Sequence, residues 1–159
     1  MRVSFITGTR ADFGKIEPVI SEFINRGHDV NIFVTGMHHF DEFGLTKIEI
    51  LNKFEDHVYQ YINQELGDPH EQVFIKTMIG LMEYVTFFKP NLIFVHGDRI
   101  EAFATCSFCA MRQMPVAHIE GGEVSGTIDE AYRHCNTKLS SIHFVSTEIA
   151  AKRIQLMGE

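Results

Sequence analysis

Two pairs of residues with equal spacing stand out, His96-Gly97-Asp98 and His118-Ile119-Glu120, each a histidine two positions ahead of an acid at the end of a short apolar run. A strand repeats every two residues, so the histidine and acid of one pair point to one side of a sheet, and adjacent strands would bring the two carboxylates together. Close carboxylates push their proton affinities apart, which suits acid and base catalysis. Asp98 has a competing use, because Glu101 three residues on completes a helix capping box. Glu120 has no such use: Gly121-Gly122 follow it, opening a flexible loop through Ser125 to Gly126. Thr127 then caps another helix with Glu130 at its third position, which leaves Asp129 free to face a ligand. Arg133, one turn on, can pair with Asp129 or reach a phosphate.

A third group is Gly8-Thr9-Arg10-Ala11-Asp12-Phe13-Gly14-Lys15, a turn into a helix whose first amides could face an anion. Its spacing fits neither a P-loop nor a dinucleotide fingerprint. Either Asp12 is a helix N-cap with Arg10 and Lys15 solvated, or the two cations form an electropositive lip for a sugar phosphate. His96, Asp98, His118, Glu120 and His134 are of metal-ligand type, but no HExxH or paired-cysteine spacing accompanies them. No metal or cofactor is expected. Cys106 and Cys109 have redox spacing inside an apolar helical stretch, where free cysteine packs as a small hydrophobe. His38-His39 line a loop above the site or sit in solvent.

Positioning these groups requires alternating strands and helices. Hydrophobic periodicity predicts strands at 2–7 and 28–35, helices at 12–25 and 69–88, and short helices and irregular loops over 37–63. From there the pattern is regular: strand 91–95, helix 100–112, strand 116–119, helix 130–140, strand 142–145, helix 148–156. Apolar strands alternating with helices imply a parallel sheet covered on both faces, with ligands at the carboxyl ends of the strands.

With 159 residues, 45% hydrophobic and 22% charged, the chain suits one domain with one core. A net charge of -7 argues against a nucleic-acid partner, which needs clustered Lys and Arg. Apolar runs fall far short of the roughly 20 residues that span a bilayer, so no membrane partner is expected. Met1-Arg2 leads directly into Val3-Ser4-Phe5-Ile6, unlike an export signal, and three cysteines are too few for a disulfide framework. A cytoplasmic location is the expectation.

Taken together, the Gly8 to Lys15 loop, Gly97-Asp98-Arg99, and the block from His118 to Glu130 with Arg133-His134 behind it resemble the N-terminal domain of the hydrolysing UDP-N-acetylglucosamine 2-epimerases. The resemblance runs from end to end. It implies one half of a GT-B architecture, in which two Rossmann-like domains close over a nucleotide sugar. Residues 1–159 would be the first domain, and the second, with most UDP contacts and a further catalytic histidine, would be missing, so an inactive fragment is expected. Matched position by position, the resemblance implies that Asp98, Glu120 and Asp129 are the catalytic acids and that Arg10 and Lys15 belong to the substrate-binding loop. His96, His118, Gly121, Gly122, Ser125 and Arg133 are then expected around the substrate.

The implied reaction explains the need for several acids. The hydrogen on C2 of the sugar has no carbonyl to acidify it, so the bond from C1 to phosphate must break first. Oxocarbenium character at C1 then lets a carboxylate remove the C2 proton, giving a 2-acetamidoglucal. A second carboxyl group returns a proton from the other face while water adds at C1, releasing N-acetylmannosamine. The expected partner is UDP-N-acetylglucosamine or a related UDP-sugar, and a homodimer through exposed helices stays open. The alternatives are a metal-dependent phosphoesterase and a non-catalytic sugar-phosphate binding domain.

Overall fold

In the computed structural model, which describes residues 1–159, the run Val3 to Thr7 is buried throughout, as a strand with helices on both sides must be. It belongs to β1 (Arg2–Thr7), which pairs in parallel with β2 (Asp29–Val34) and β4 (Leu92–His96). With β3 (Val58–Gln60), β5 (Val116–Ile119) and β6 (Ile142–Phe144) the sheet is parallel throughout, in the order β3-β2-β1-β4-β5-β6. The chain reverses its direction of travel between β1 and β4. That is the switch point where crevices form above strand ends in such sheets.

The helices are α1 (Arg10–Asn25), α2 (Lys47–Phe54), α3 (His70–Phe88), α4 (Ile100–Met111), α5 (Ile128–Leu139) and α6 (Glu148–Leu156). Alternation along β1 splits the core. Val3 and Phe5 pack with Phe13, Ile16 and Ile20 of α1 and Ile50 of α2. Ile6, on the other face, packs with Leu81 and Tyr84 of α3 and Cys106 and Phe108 of α4. Cys106 and Cys109 are free and fully buried, and burial pushes the Cys106 thiol up to about 12, so the pair is packing material. No helix is long and apolar enough to cross a membrane.

Several local expectations need correction. α1 starts two residues before Asp12, and its N-cap is Thr9, whose hydroxyl accepts from Asp12 N. Asp12 instead reaches back to accept from Gly8 N at 2.9 Å, a capping-box arrangement one turn earlier. The N-cap position of α4 is Arg99, not Asp98, and no side chain caps the helix. α5 starts at Ile128, two residues early. The segment 37–63 holds α2, three short 3-10 turns and the three-residue β3, too short to show a period. β6 is apolar but lies at the sheet edge, with Ile142 and Phe144 exposed, so the sheet is not covered on both faces there.

Candidate active site

Glu120 follows β5 in a left-handed conformation, φ 61°, which a side-chain-bearing residue adopts only when its surroundings hold it. The holding is visible. Its N–H donates to Phe144 O on β6 at 2.8 Å, and the next two residues are packed tightly. A Cβ on Gly121 would come 2.9 Å from His118 Nδ1, and one on Gly122 2.6 Å from Ala150 O of α6. Gly122 also has φ 80°, and its carbonyl accepts from Arg153. These glycines therefore permit close helix packing that fixes Glu120, rather than forming the flexible, open loop expected from the sequence.

Glu120 meets one group from α1 and one from the end of β4. Lys15 Nζ, on α1, donates to its Oε1 at 2.5 Å, and His96 Nε2, at the end of β4, lies 3.1 Å from its Oε2. The His96 contact is an electrostatic approach off the ring N–H direction, and no hydrogen bond satisfies that nitrogen. Partial burial would raise the Glu120 carboxyl, but the Lys15 hydrogen bond and the nearby His96 outweigh it and hold the group below the usual carboxylate range. Burial lowers the pKa of His96 despite the pull of Glu120, which favours the neutral imidazole.

Asp98 has its own cation. Arg133 Nη2 donates to Asp98 Oδ2, while its Nη1 donates to Glu123 O at 3.0 Å and reaches Ser125 Oγ at 3.5 Å. Arg133 therefore pairs with Asp98 across the fold instead of with Asp129 along its own helix, and the Asp98 carboxylate is held by a guanidinium. Asp129 sits half-buried on the first turn of α5, with the Thr127 hydroxyl at 3.5 Å. Glu130 accepts from Ser125 N and Gly126 N at 2.7 Å each, and Thr127, though at the N-cap position, makes no side-chain cap hydrogen bond, so Glu130 braces the preceding loop in place of the expected capping box.

His118 departs furthest from expectation. It is 0% exposed, its Nε2 donates to Gly97 O at 2.7 Å, and its Nδ1 lies 3.3 Å from Thr137 Oγ1. Both ring nitrogens are therefore occupied inside the protein, and burial holds its pKa down at about 4. It braces the turn carrying Asp98 and offers nothing to a ligand. Arg10 is exposed and pairs with Glu49 of α2 at 3.2 Å. His38 is fully buried, between Thr7 Oγ1 at 2.9 Å and Thr46 Oγ1 at 2.7 Å, and His39 contacts Val34 O at 3.1 Å. No three side chains of His, Cys, Asp or Glu are grouped so as to hold a metal ion.

Residues 22–159 match the family model described as UDP-N-acetylglucosamine 2-epimerase. The chain belongs to that epimerase family. It is 40% identical over 159 residues to a UDP-N-acetylglucosamine 2-epimerase of Neisseria meningitidis, covering 99% of this chain and 42% of that protein. A UDP-N,N'-diacetylbacillosamine 2-epimerase (hydrolyzing) of Legionella pneumophila is 34% identical over 164 residues, covering 99% of this chain and 43% of that one. The structure of a Methanocaldococcus jannaschii UDP-GlcNAc 2-epimerase in complex with UDP-GlcNAc and UDP aligns with a TM-score of 0.85 at 26% identity, covering 100% of this chain and 44% of that one. The chain thus spans less than half the length of these relatives, and its sheet is the Rossmann-like half of a GT-B architecture.

Within this epimerase-family domain, the structure makes prominent two residues that local pattern leaves inconspicuous. Glu101 is 1% exposed with neither carboxylate oxygen hydrogen-bonded, and Arg99 beside it lines a cavity of about 160 Å³ at the strand ends. Glu101 was masked by its fit to a capping box with Asp98. Only the glycines at positions 8 and 36 hinted that something must fit against the ends of β1 and β2.

Proposed function

We propose that this chain is the N-terminal domain of a two-domain hydrolysing epimerase that converts UDP-N-acetylglucosamine to N-acetylmannosamine and UDP, and that the chain is inactive by itself. The observation that carries this reading is the Lys15–Glu120–His96 cluster at the sheet's switch point, with Asp98 and Arg133 on the adjoining turn, in a member of this family. A carboxylate kept anionic by Lys15 suits stabilising an oxocarbenium-like C1 or accepting the C2 proton. Asp98, Glu120 and Asp129 share charge stabilisation, removal of the C2 proton to form the 2-acetamidoglucal, and its return as water adds at C1. Of the three, Asp129 has no cationic partner. His96, Ser125 and Arg133 shape the sugar side of the site.

The same proposal includes a homodimer, supported by Ile75, Ile79 and Met82, which expose an apolar stripe along α3. It also places the reaction in the cytoplasm, in keeping with the free thiols Cys106, Cys109 and Cys135.

The full-length protein, mixed with UDP-N-acetylglucosamine, is expected to release UDP and N-acetylmannosamine in equal amounts, with Asp129→Asn abolishing both. Release of neither by the unmodified protein would overturn the proposal. Near-normal turnover in Asp129→Asn would remove that residue from the mechanism.

A further inference from the structure

Glu101 lies in the first turn of α4, sealed from solvent. A carboxylate placed only to complement a helix N-terminus can do so from the surface, without the desolvation cost of full burial. Burial holds the pKa of the group above the usual carboxylate range, and the neighbouring Arg99 opposes that shift only in part. Arg99 Nε stands 3.6 Å from Glu101 Oε2, too far for a hydrogen bond but within ion-pair reach, and that Nε is itself buried without a hydrogen-bond partner. Each charge is therefore left to the other.

The space for the carboxylate is made by glycine. A Cβ on Gly36 would stand 2.7 Å from Glu101 Oε1, and one on Gly8 3.1 Å from its carboxyl carbon. The ends of β1 and β2 are thus cut back around a negative charge that makes no hydrogen bond. Arg99 is different in kind, because its side chain is 36% exposed and lines the strand-end cavity with Met37, Gln64 and two acids, Glu65 and Asp68, of which Asp68 is already paired with Lys76 at 2.6 Å. A buried ion pair adds little to stability, but it fixes where its outer member points.

We propose that Glu101 is a positioning residue, whose buried carboxylate anchors Arg99 so that the guanidinium faces the anionic part of the nucleotide sugar at the strand ends. This rests on the nucleotide-sugar reading above and adds to it the residue that orients one of its cations.

The test uses the full-length protein with ¹⁵N-labelled arginine, the Arg99 Nε–H resonance being assigned by its loss in Arg99→Lys. Glu101→Gln keeps the side-chain volume and removes the charge. In the unmodified protein the Arg99 resonance is expected to be distinct and slow to exchange with solvent, and in Glu101→Gln to merge with the exposed arginines. KM for UDP-N-acetylglucosamine is expected to rise about tenfold with kcat changed less than about twofold, since a positioned ionic contact in the ground state is lost. The double variant with Arg99→Lys should be no worse than Arg99→Lys alone, because one interaction is removed in both. An unchanged Arg99 resonance, an unchanged KM, or additive losses in the double variant would each overturn the proposal. If Glu101→Gln does not fold, Glu101→Asp, which keeps the charge, must retain the slow resonance for the proposal to stand. Should the unmodified protein turn over no nucleotide sugar, the functional reading fails on that result, and the Arg99 resonance still decides the anchoring.

Discussion

The pairs His96-Gly97-Asp98 and His118-Ile119-Glu120 share a spacing and end neighbouring parallel strands, yet their histidines have opposite fates. His118 is locked between Gly97 O and Thr137 under α5, while His96 stays half-buried against Glu120. The difference lies in what covers each strand end. α5 lays Asn136 and Thr137 over β5, and Asn136 Nδ2 shares the Gly97 carbonyl with His118 at 3.2 Å. His96 Nε2 has no such clamp and faces only the Glu120 carboxylate, 3.1 Å away and off the ring N–H direction. The same local pattern thus yields a strut on one strand and a site residue on the next.

That contrast can be broken by substitution. The largest effect is expected at Glu120: Glu120→Gln should lower kcat of the full-length protein by roughly 10²–10⁴-fold, the usual worth of a positioned acid or base, with little change in stability. UDP release measures it, and a loss under about tenfold would take Glu120 out of the chemistry. His118→Ala should behave the other way, destabilising the domain by about 3 kcal/mol through a cavity and lost hydrogen bonds, whereas His96→Ala should cost under about 1.5 kcal/mol. Urea unfolding of the two variants side by side compares them. Equal losses would erase the distinction.

Acid sharpens the same contrast. A histidine in the unfolded chain titrates near 6.5, while burial holds folded His118 at about 4. Between those values the unfolded chain binds a proton that the folded one refuses. Stability is therefore unaffected by this group above about pH 6.5 and falls as pH drops toward 4, by at most about 1.4 kcal/mol per pH unit. His38, also held at about 4 by burial, adds a slope of the same sign. His118→Ala should flatten the dependence without abolishing it, as urea titrations from pH 7 to about 4 would show. A slope identical to that of the unmodified chain would mean that His118 is not kept neutral. The smallest effect is expected from Lys15→Met: with its hydrogen bond gone, Glu120 loses the main influence that holds its pKa low, so the acid limb of the pH–rate profile should move upward. A limb that stays in place would assign the titration to another acid.

Much of the fold was legible because it rests on local periodicity. The regular alternation from β4 onward and the burial of β1 follow from apolar runs whose length and spacing are local properties. β3 was not legible, since Val58–Gln60 is a strand only because β2 lies beside it. Candidate site residues were legible as types at strand ends, and Glu120 in particular, followed by two glycines, had no local structural use. Their partners were not legible. Arg133 suits Asp129 by helical spacing and pairs with Asp98 from 35 positions away, and Glu101 suits a cap and is buried against Gly8 and Gly36.

By itself, then, the sequence determined the class of sheet, the strand ends that carry chemistry, and the family pattern written across them. Only the tertiary structure decided which charge neutralises which, and which histidine is sealed and which stays beside an acid. Periodicity acts over a few residues, whereas ion pairing and desolvation depend on whatever segment packs across the gap, at any separation along the chain.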